Sequence, residues 1–235
     1  MLHNCGEDFL KLFEKANVLL KTEKTRKHYL LSNVDEHTDK LFQCSIGSAD
    51  AEFRARTTGA IVDELAFLGI DRDIDLIITP ALGSILFAGT LQERFLGKKP
   101  KLFYAEKMAG NFVLRHGFEL KKEQRILIFD DVYSTGRTME KIRDMCHLAE
   151  RSVAIVAQAA LVNRNPDGLP LPKNTITVPH VFLLEYPIRP FPAKSCPYCV
   201  GENRLPLEKD GTIVDIFGNP IESGQTVDEG PITIK

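Results

Sequence analysis

The sequence predicts an α/β fold with a mainly parallel central sheet flanked by helices. Three observations point to it. Apolar runs at Asp75–Thr79, Arg125–Phe129, Val153–Val162 and Val178–Leu184 have the length and bounds of buried strands. Apolar residues at helical spacing lie between these runs. The two signals alternate along the chain, which implies parallel strands joined by helices on both faces.

The elements follow in order. Leu10, Phe13 and Leu20, with Asp8 near the start, suggest an opening helix over 7–20. Residues 29–45 read as extended and turn-rich. Over 54–68, Ile61, Leu65 and Leu68 share a face and Gly69 follows as a stop. After the strand at Asp75–Thr79, Pro80-Ala-Leu-Gly83 turns the chain into a helix that runs to about Phe95. Lys101–Ala105 is a short strand, and 106–118 a loop or hairpin. The strand at Arg125–Phe129 is followed by a helix marked by Met139, Ile142, Cys146 and Ala149. Beyond about Leu184 prolines become dense (Pro187, Pro190, Pro192, Pro197). Residues 208–235 are polar and Gly-rich, as expected of an extended or poorly packed tail.

Composition narrows the class of protein. A chain of 235 residues, 43% hydrophobic and 26% charged, suits one domain with an appendage and a substantial core. A formal net charge of −2 offers no electrostatic footprint for nucleic acid or an acidic membrane. Met1–Leu10 contains no apolar signal-peptide region. The longest apolar stretch, Leu76–Leu91, is broken by Pro80, Gly83 and Gly89 and is too short to span a bilayer. The expected location is therefore cytoplasmic.

The 5 cysteines are Cys5, Cys44, Cys146, Cys196 and Cys199, an odd count that argues against a disulfide framework. Cys196-Pro-Tyr-Cys199 supplies half of a structural zinc site. It reads as two ordinary thiols near a turn, as a zinc site completed by Cys5, Cys44 or a second subunit, or as a redox pair. His28, His37 and His116 read as ordinary polar residues, since the sequence identifies no carboxylate partner for any of them.

Residues 125–138, Arg-Ile-Leu-Ile-Phe-Asp-Asp-Val-Tyr-Ser-Thr-Gly-Arg-Thr, concentrate the chemistry. The pair Asp130-Asp131 alone fits a helix cap as well as a site. The longer string fixes many more positions. Gly136 lets the backbone approach a ligand. Ser134, Thr135 and Thr138 add hydroxyls to the N–H groups of a helix start, a cradle for a phosphate. The two carboxylates can accept hydrogen bonds from vicinal sugar hydroxyls, favour a developing oxocarbenium ion and attract Mg²⁺. The spacing of a Walker A loop is absent, and so is any G-x-G-x-x-G.

Phe129-Asp-Asp-Val-Tyr-Ser-Thr-Gly-Arg-Thr138 resembles the phosphoribosyl-pyrophosphate (PRPP) motif of the type I phosphoribosyltransferases. Lys27-His-Tyr-Leu-Leu-Ser32 and Asp39-Lys-Leu-Phe-Gln43 are similar to the N-terminal segment of the orotate phosphoribosyltransferases. Pro80-Ala-Leu-Gly83 resembles their pyrophosphate loop, and Phe103-Tyr-Ala-Glu-Lys107 and Leu114-Arg-His-Gly-Phe118 their mobile-loop region. Cys196-Pro-Tyr-Cys199 is similar to a Cys-Pro-Leu-Cys of one bacterial subgroup.

The resemblance implies a type I phosphoribosyltransferase domain over 1–207. A small hood subdomain would draw on about residues 1–50, with an extension at 208–235. It implies Mg²⁺-dependent transfer from PRPP to a nucleobase, with orotate as the acceptor, and a homodimer. By position, Ser134, Thr135, Gly136, Arg137 and Thr138 would hold the 5′-phosphate. Asp130 and Asp131 would hold the ribose hydroxyls and Mg²⁺, directly or through water. Ala81, Leu82 and Gly83 would offer backbone to pyrophosphate, Lys107 and Arg115 would clamp the leaving group, and Arg164 would pair with the orotate carboxylate. Three positions depart from the family. Ser32-Asn-Val-Asp-Glu-His37-Thr38 replaces a Ser-Ser-Gly-x-His-Ser, Ser84 stands where glycine is usual, and Asn163-Arg164 replaces an Asp-Arg pair. These leave open a transferase for a different base, or a PRPP-binding regulator without catalysis.

Overall fold

The computed structural model describes residues 6–31, 36–165, 178–199, 205–209 and 212–214. Contacts divide the chain into two units, one of 1–19 and 42–188 and the other of 20–41 and 189–235.

The first unit holds the helices α1 (Gly6–Lys15), α3 (Cys44–Ser48), α4 (Ala51–Phe67), α5 (Ile85–Arg94) and α6 (Arg137–Ala149). Its strands are β5 (Leu76–Pro80), β6 (Lys101–Met108), β7 (Asn111–Leu114), β8 (Arg125–Tyr133), β9 (Ala154–Asn163) and β10 (His180–Glu185). They form one six-stranded sheet in the order β10-β9-β8-β5-β6-β7. Every pair is parallel except β6 with β7. The expected mainly parallel sheet is thus present, and β7 is its antiparallel edge.

Side chains alternate between two cores, as the two-residue period of a strand dictates. Ile77, Leu127, Phe129, Ala159 and Leu161 join one apolar cluster with Phe53, Ile61 and Leu65 of α4 and Phe87 and Leu91 of α5. Leu76, Ile78, Ile126, Ile128 and Ala160 join a second with Met139, Ile142 and Cys146 of α6. Helix α4 starts earlier than its apolar pattern does. The Asp50 carboxylate accepts the Glu52 and Phe53 backbone N–H groups at 2.8 and 3.1 Å, and that cap sets the start.

Three expectations change in detail. The opening helix ends at Lys15, and Leu20 falls in a strand instead. Strand β8 does not stop at Phe129. It continues to Tyr133 because Asp130, Val132 and Tyr133 pair with Ala160, Val162 and Asn163 of β9. The segment 106–118 resolves as a hairpin, with Met108 opposite Asn111 and positive φ at Ala109 and Gly110 (49° and 81°), as a two-residue turn requires.

Strands β1 (Leu19–Lys21) and β4 (Lys40–Phe42) pair with each other, and the chain leaves the first unit within β1 and returns within β4. The second unit contains the short helix α2 (Thr22–Thr25) and the strands β2 (His28–Leu30), β3 (Glu36–Thr38), β11 (Phe191–Pro192), β12 (Leu207–Lys209) and β13 (Thr212–Val214). These strands form a five-stranded sheet in the order β11-β3-β2-β12-β13. Leu207 and Glu208 pair with His28 and Tyr29, so β12 straddles the boundary expected at 207/208. Buried Glu208 is tied to Lys27 by an ion pair of 2.6 Å. The expectations for residues 32–35, and for most of the tail, lie outside the described residues.

Candidate active site

In a parallel sheet the loops that leave the carboxyl ends of the strands gather on one edge, and ligands bind there. Three neighbouring strands of the first unit, β5, β8 and β9, bring the expected segments to that edge: 81–84, 130–138 and 163–164.

Asp130 and Asp131 lie on the last part of β8. Asp130 is buried, with 7% of its surface exposed, and Asp131 is half-buried. Ser84 joins them to the loop after β5. Its hydroxyl donates to Asp130 Oδ1 at 2.7 Å and accepts the Asp131 backbone N–H at 3.1 Å. Asp130 Oδ1 also accepts the Asp131 N–H at 2.9 Å, and Asp131 Oδ1 accepts the Val132 N–H at 2.9 Å. Gly83 completes the approach, since a Cβ there would stand 3.1 Å from Asp131 Oδ2. The peptide bond Ala81–Leu82 is cis, and the Ala81 N–H donates to Ala105 of β6 at 2.9 Å.

Among the described residues no cation pairs with either carboxylate. Burial, then the adjacent Asp131 charge, pushes the Asp130 carboxyl well above its ordinary range, and the Ser84 hydrogen bond opposes this only in part. The field extends further. Burial, reinforced by Asp131 and Asp130, also pushes the Cys44 thiol up, so Cys44 is an inert core thiol. Paired carboxylates with a serine hydroxyl, all oxygen donors, fit a hard divalent cation such as Mg²⁺.

Gly136 sits at φ 76° immediately before α6, a conformation that favours glycine. It turns the chain so that Arg137 and Thr138 open a 13-residue helix whose first N–H groups are available to an anion. Ser134 and Thr135 form the bend between β8 and this turn. Arg164 directly follows β9. Its backbone N–H donates to Tyr133 O at 2.8 Å, which fixes it beside the end of β8. Asn163 Oδ1 accepts the Asn165 N–H at 3.0 Å, so that side chain shapes its own loop.

Lys107 and Arg115 are exposed on the β6–β7 hairpin, and neither forms an ion pair with Asp130 or Asp131. Arg115 instead meets Glu106 at 3.2 Å, and His116 Nε2 lies 2.7 Å from the other Glu106 oxygen. The His116 hydrogen bond, more than any other influence, holds the Glu106 carboxyl below its usual range. Phe112 and Leu114 pack into the core beside α6, and Lys141 of that helix donates to the Gly110 carbonyl. The hairpin therefore rests on the helix that Gly136 opens.

Ser84 and Glu106 are the residues whose parts sequence reasoning missed. Ser84 was visible only as a departure from glycine, and its partner lies 46 residues away.

These features define a class of protein. The model of the phosphoribosyl transferase domain family matches residues 55–183, the stretch that builds this edge of the sheet. The chain belongs to the type I phosphoribosyltransferase family and is a phosphoribosyltransferase enzyme. It is similar to the orotate phosphoribosyltransferase of Chlorobium phaeobacteroides, with 32% identity over 86% of this chain and 94% of the relative. The orotate phosphoribosyltransferase of Carboxydothermus hydrogenoformans is 29% identical over 87% of this chain and 97% of the relative. Among solved structures, orotate phosphoribosyltransferase from Aeropyrum pernix shares the fold, with a TM-score of 0.56 and 17% identity over 74% of this chain and 92% of that one. No helix among the described residues is long and apolar enough to cross a membrane.

Proposed function

We propose that this enzyme transfers the phosphoribosyl group of PRPP to orotate, with Mg²⁺, giving orotidine 5′-phosphate and pyrophosphate in pyrimidine biosynthesis. The observation that carries the proposal is the meeting of Ser84, Asp130 and Asp131 beside the helix start at Gly136 and next to Arg164. The similarity to orotate phosphoribosyltransferases supports orotate as the acceptor.

In this reading the base nitrogen N1 gives up its proton to solvent and bonds to C1 of the ribose while the C1–O bond breaks. The bonding pair leaves with pyrophosphate, and the ribose passes through an oxocarbenium-like state. The backbone N–H groups and hydroxyls of 134–138 hold the 5′-phosphate. Asp130 and Asp131 accept the ribose hydroxyls and stabilise the positive charge that develops on the ring. Asp130 and Asp131 would also hold Mg²⁺, directly or through water, and a bound ion would supply positive charge to the pyrophosphate oxygens. Ala81, Leu82 and Gly83 present backbone to pyrophosphate, and Arg164 offers a planar fork to the orotate carboxylate. Lys107 and Arg115 clamp the leaving group, Arg115 on exchanging Glu106 for it. The family suggests a cytoplasmic homodimer in which each hairpin serves the neighbouring site.

A second reading keeps the chemistry and changes the base, because Asn163 is engaged in its own loop and places no negative charge beside Arg164. Pyrophosphate release with PRPP, Mg²⁺ and a panel of bases separates the two. Orotate should give the fastest turnover, and Asp131→Asn should slow it by about 10²-fold or more. Turnover with another base and none with orotate would replace the proposal. Tight PRPP binding with no turnover on any base would make the chain a regulator.

A further inference from the structure

The second unit brings together four side chains that the sequence scatters over 172 positions. His28 opens β2, His37 is the middle residue of β3, and Cys196 and Cys199 bracket the turn that follows β11. All four are buried, with 1%, 0%, 0% and 8% of their surface exposed. One ligand atom from each lies within 4.8 Å of every other. His28 Nε2 is 3.2 Å from Cys199 Sγ, and His37 Nδ1 is 3.1 Å from the same sulfur.

We propose that His28, His37, Cys196 and Cys199 form a structural zinc site that holds the second unit together. Tetrahedral zinc, bonded to sulfur at about 2.3 Å and to nitrogen at about 2.0 Å, needs ligand atoms separated by about 3.3–3.8 Å. Only small shifts separate this quartet from that spacing. The donor set of two imidazoles and two thiols suits a borderline-soft divalent ion. Four protein ligands close the coordination sphere, so the site is structural and does not activate water.

Hydrogen bonding alone gives this cluster little reason to exist. Among the described residues the outward ring nitrogens, His28 Nδ1 and His37 Nε2, are buried without a partner, a cost that metal bonds at the facing nitrogens would offset. The unit also needs a staple. The buried apolar cluster it forms among the described residues is Leu30 with Leu207, far less than a small independent core requires. The four ligands come from both segments that compose the unit, two from 20–41 and two from 189–235. A metal would link those segments where the sheet already joins His37 to Phe191 and His28 to Leu207. The backbone favours the site too, because Cys199 N–H donates to Cys196 O at 3.2 Å and closes the Cys-Pro-Tyr-Cys turn. Of the partners expected for the pair, Cys44 belongs to the core of the first unit, and Cys5 lies outside the described residues.

The test uses the full chain purified without a histidine tag. Elemental analysis should find about one zinc per chain. Replacing the zinc with Co²⁺ should give the intense visible bands and thiolate charge-transfer absorption of tetrahedral sulfur–nitrogen coordination. Cys199→Ser and His37→Asn should each lower the metal content to well under half, while Cys146→Ser leaves it unchanged. Chelation should lower the melting temperature of the wild type. A wild-type chain that carries no zinc and takes up no Co²⁺ would overturn the proposal, and so would a folded Cys199→Ser variant with full zinc content. The wild-type measurements decide the matter even if a variant fails to fold.

Discussion

At the amino-terminal end of the central sheet, Asp75 is surrounded by positive groups. Lys98 donates to one of its oxygens and the Arg125 backbone N–H to the other at 3.0 Å, while the Arg125 side chain meets Asp73 at 3.2 Å. At the carboxyl-terminal end, Asp130 and Asp131 are surrounded by a serine hydroxyl, backbone N–H groups and each other. The same residue type therefore titrates in opposite directions. Lys98, then Arg125, lowers Asp75, whereas burial, then Asp131, raises Asp130. One end of the sheet uses its carboxylates to join strands. The other leaves them short of positive charge, which a cation or a developing oxocarbenium ion would provide. The proposed phosphoribosyltransferase site lies where the fold is electrostatically incomplete.

Three substitutions test this contrast. The largest effect is expected for Asp130→Asn, which should reduce kcat/KM by about 10²-fold yet raise stability. An acid whose folded pKa is raised contributes stability below its unfolded pKa of about 4 and loses it as pH rises through the folded value. Removing the charge should therefore stabilise the chain at neutral pH by about 1–2 kcal/mol, measured by urea unfolding in EDTA. A destabilised Asp130→Asn would mean that the site is already balanced.

Ser84→Ala should have an intermediate effect. It removes the hydrogen bond that most opposes the upward shift of Asp130. The activity should fall about tenfold, and the acidic limb of the pH profile should move to higher pH. A lower rate with an unmoved profile would make Ser84 a packing residue.

The smallest effect is expected for Asp75→Asn, at the other end of the sheet. Its lowered pKa means that the stabilisation is present above about pH 4 and is lost as pH falls through the folded value. The variant should lose about 1 kcal/mol at pH 7, match the wild type in strong acid, and keep its turnover.

The legible parts of the molecule are those in which cause and effect are close along the chain. The segment 125–138 carries its strand, carboxylates, glycine turn and helix start in one stretch, so its chemistry could be read without a partner. The hairpin at 106–118 was half legible, because the Ala109–Gly110 turn is local while its rest on Lys141 is not. Strand β8 was read too short because Asp130 and Asp131 look like the end of an apolar run. Pairing with β9 carries the strand through them.

The sequence by itself determined the alternating architecture, the PRPP motif and the family, because these rest on local periodicity and contiguous residues. Only the tertiary structure decided that Ser84 grips Asp130 across 46 residues and that Arg115 pairs with Glu106. It also decided that two histidines thought ordinary face a cysteine more than 160 residues away. The physical reason is the same in each case. A side chain's partner and its burial depend on which strands become neighbours, and sheet order is not written in any single stretch of chain.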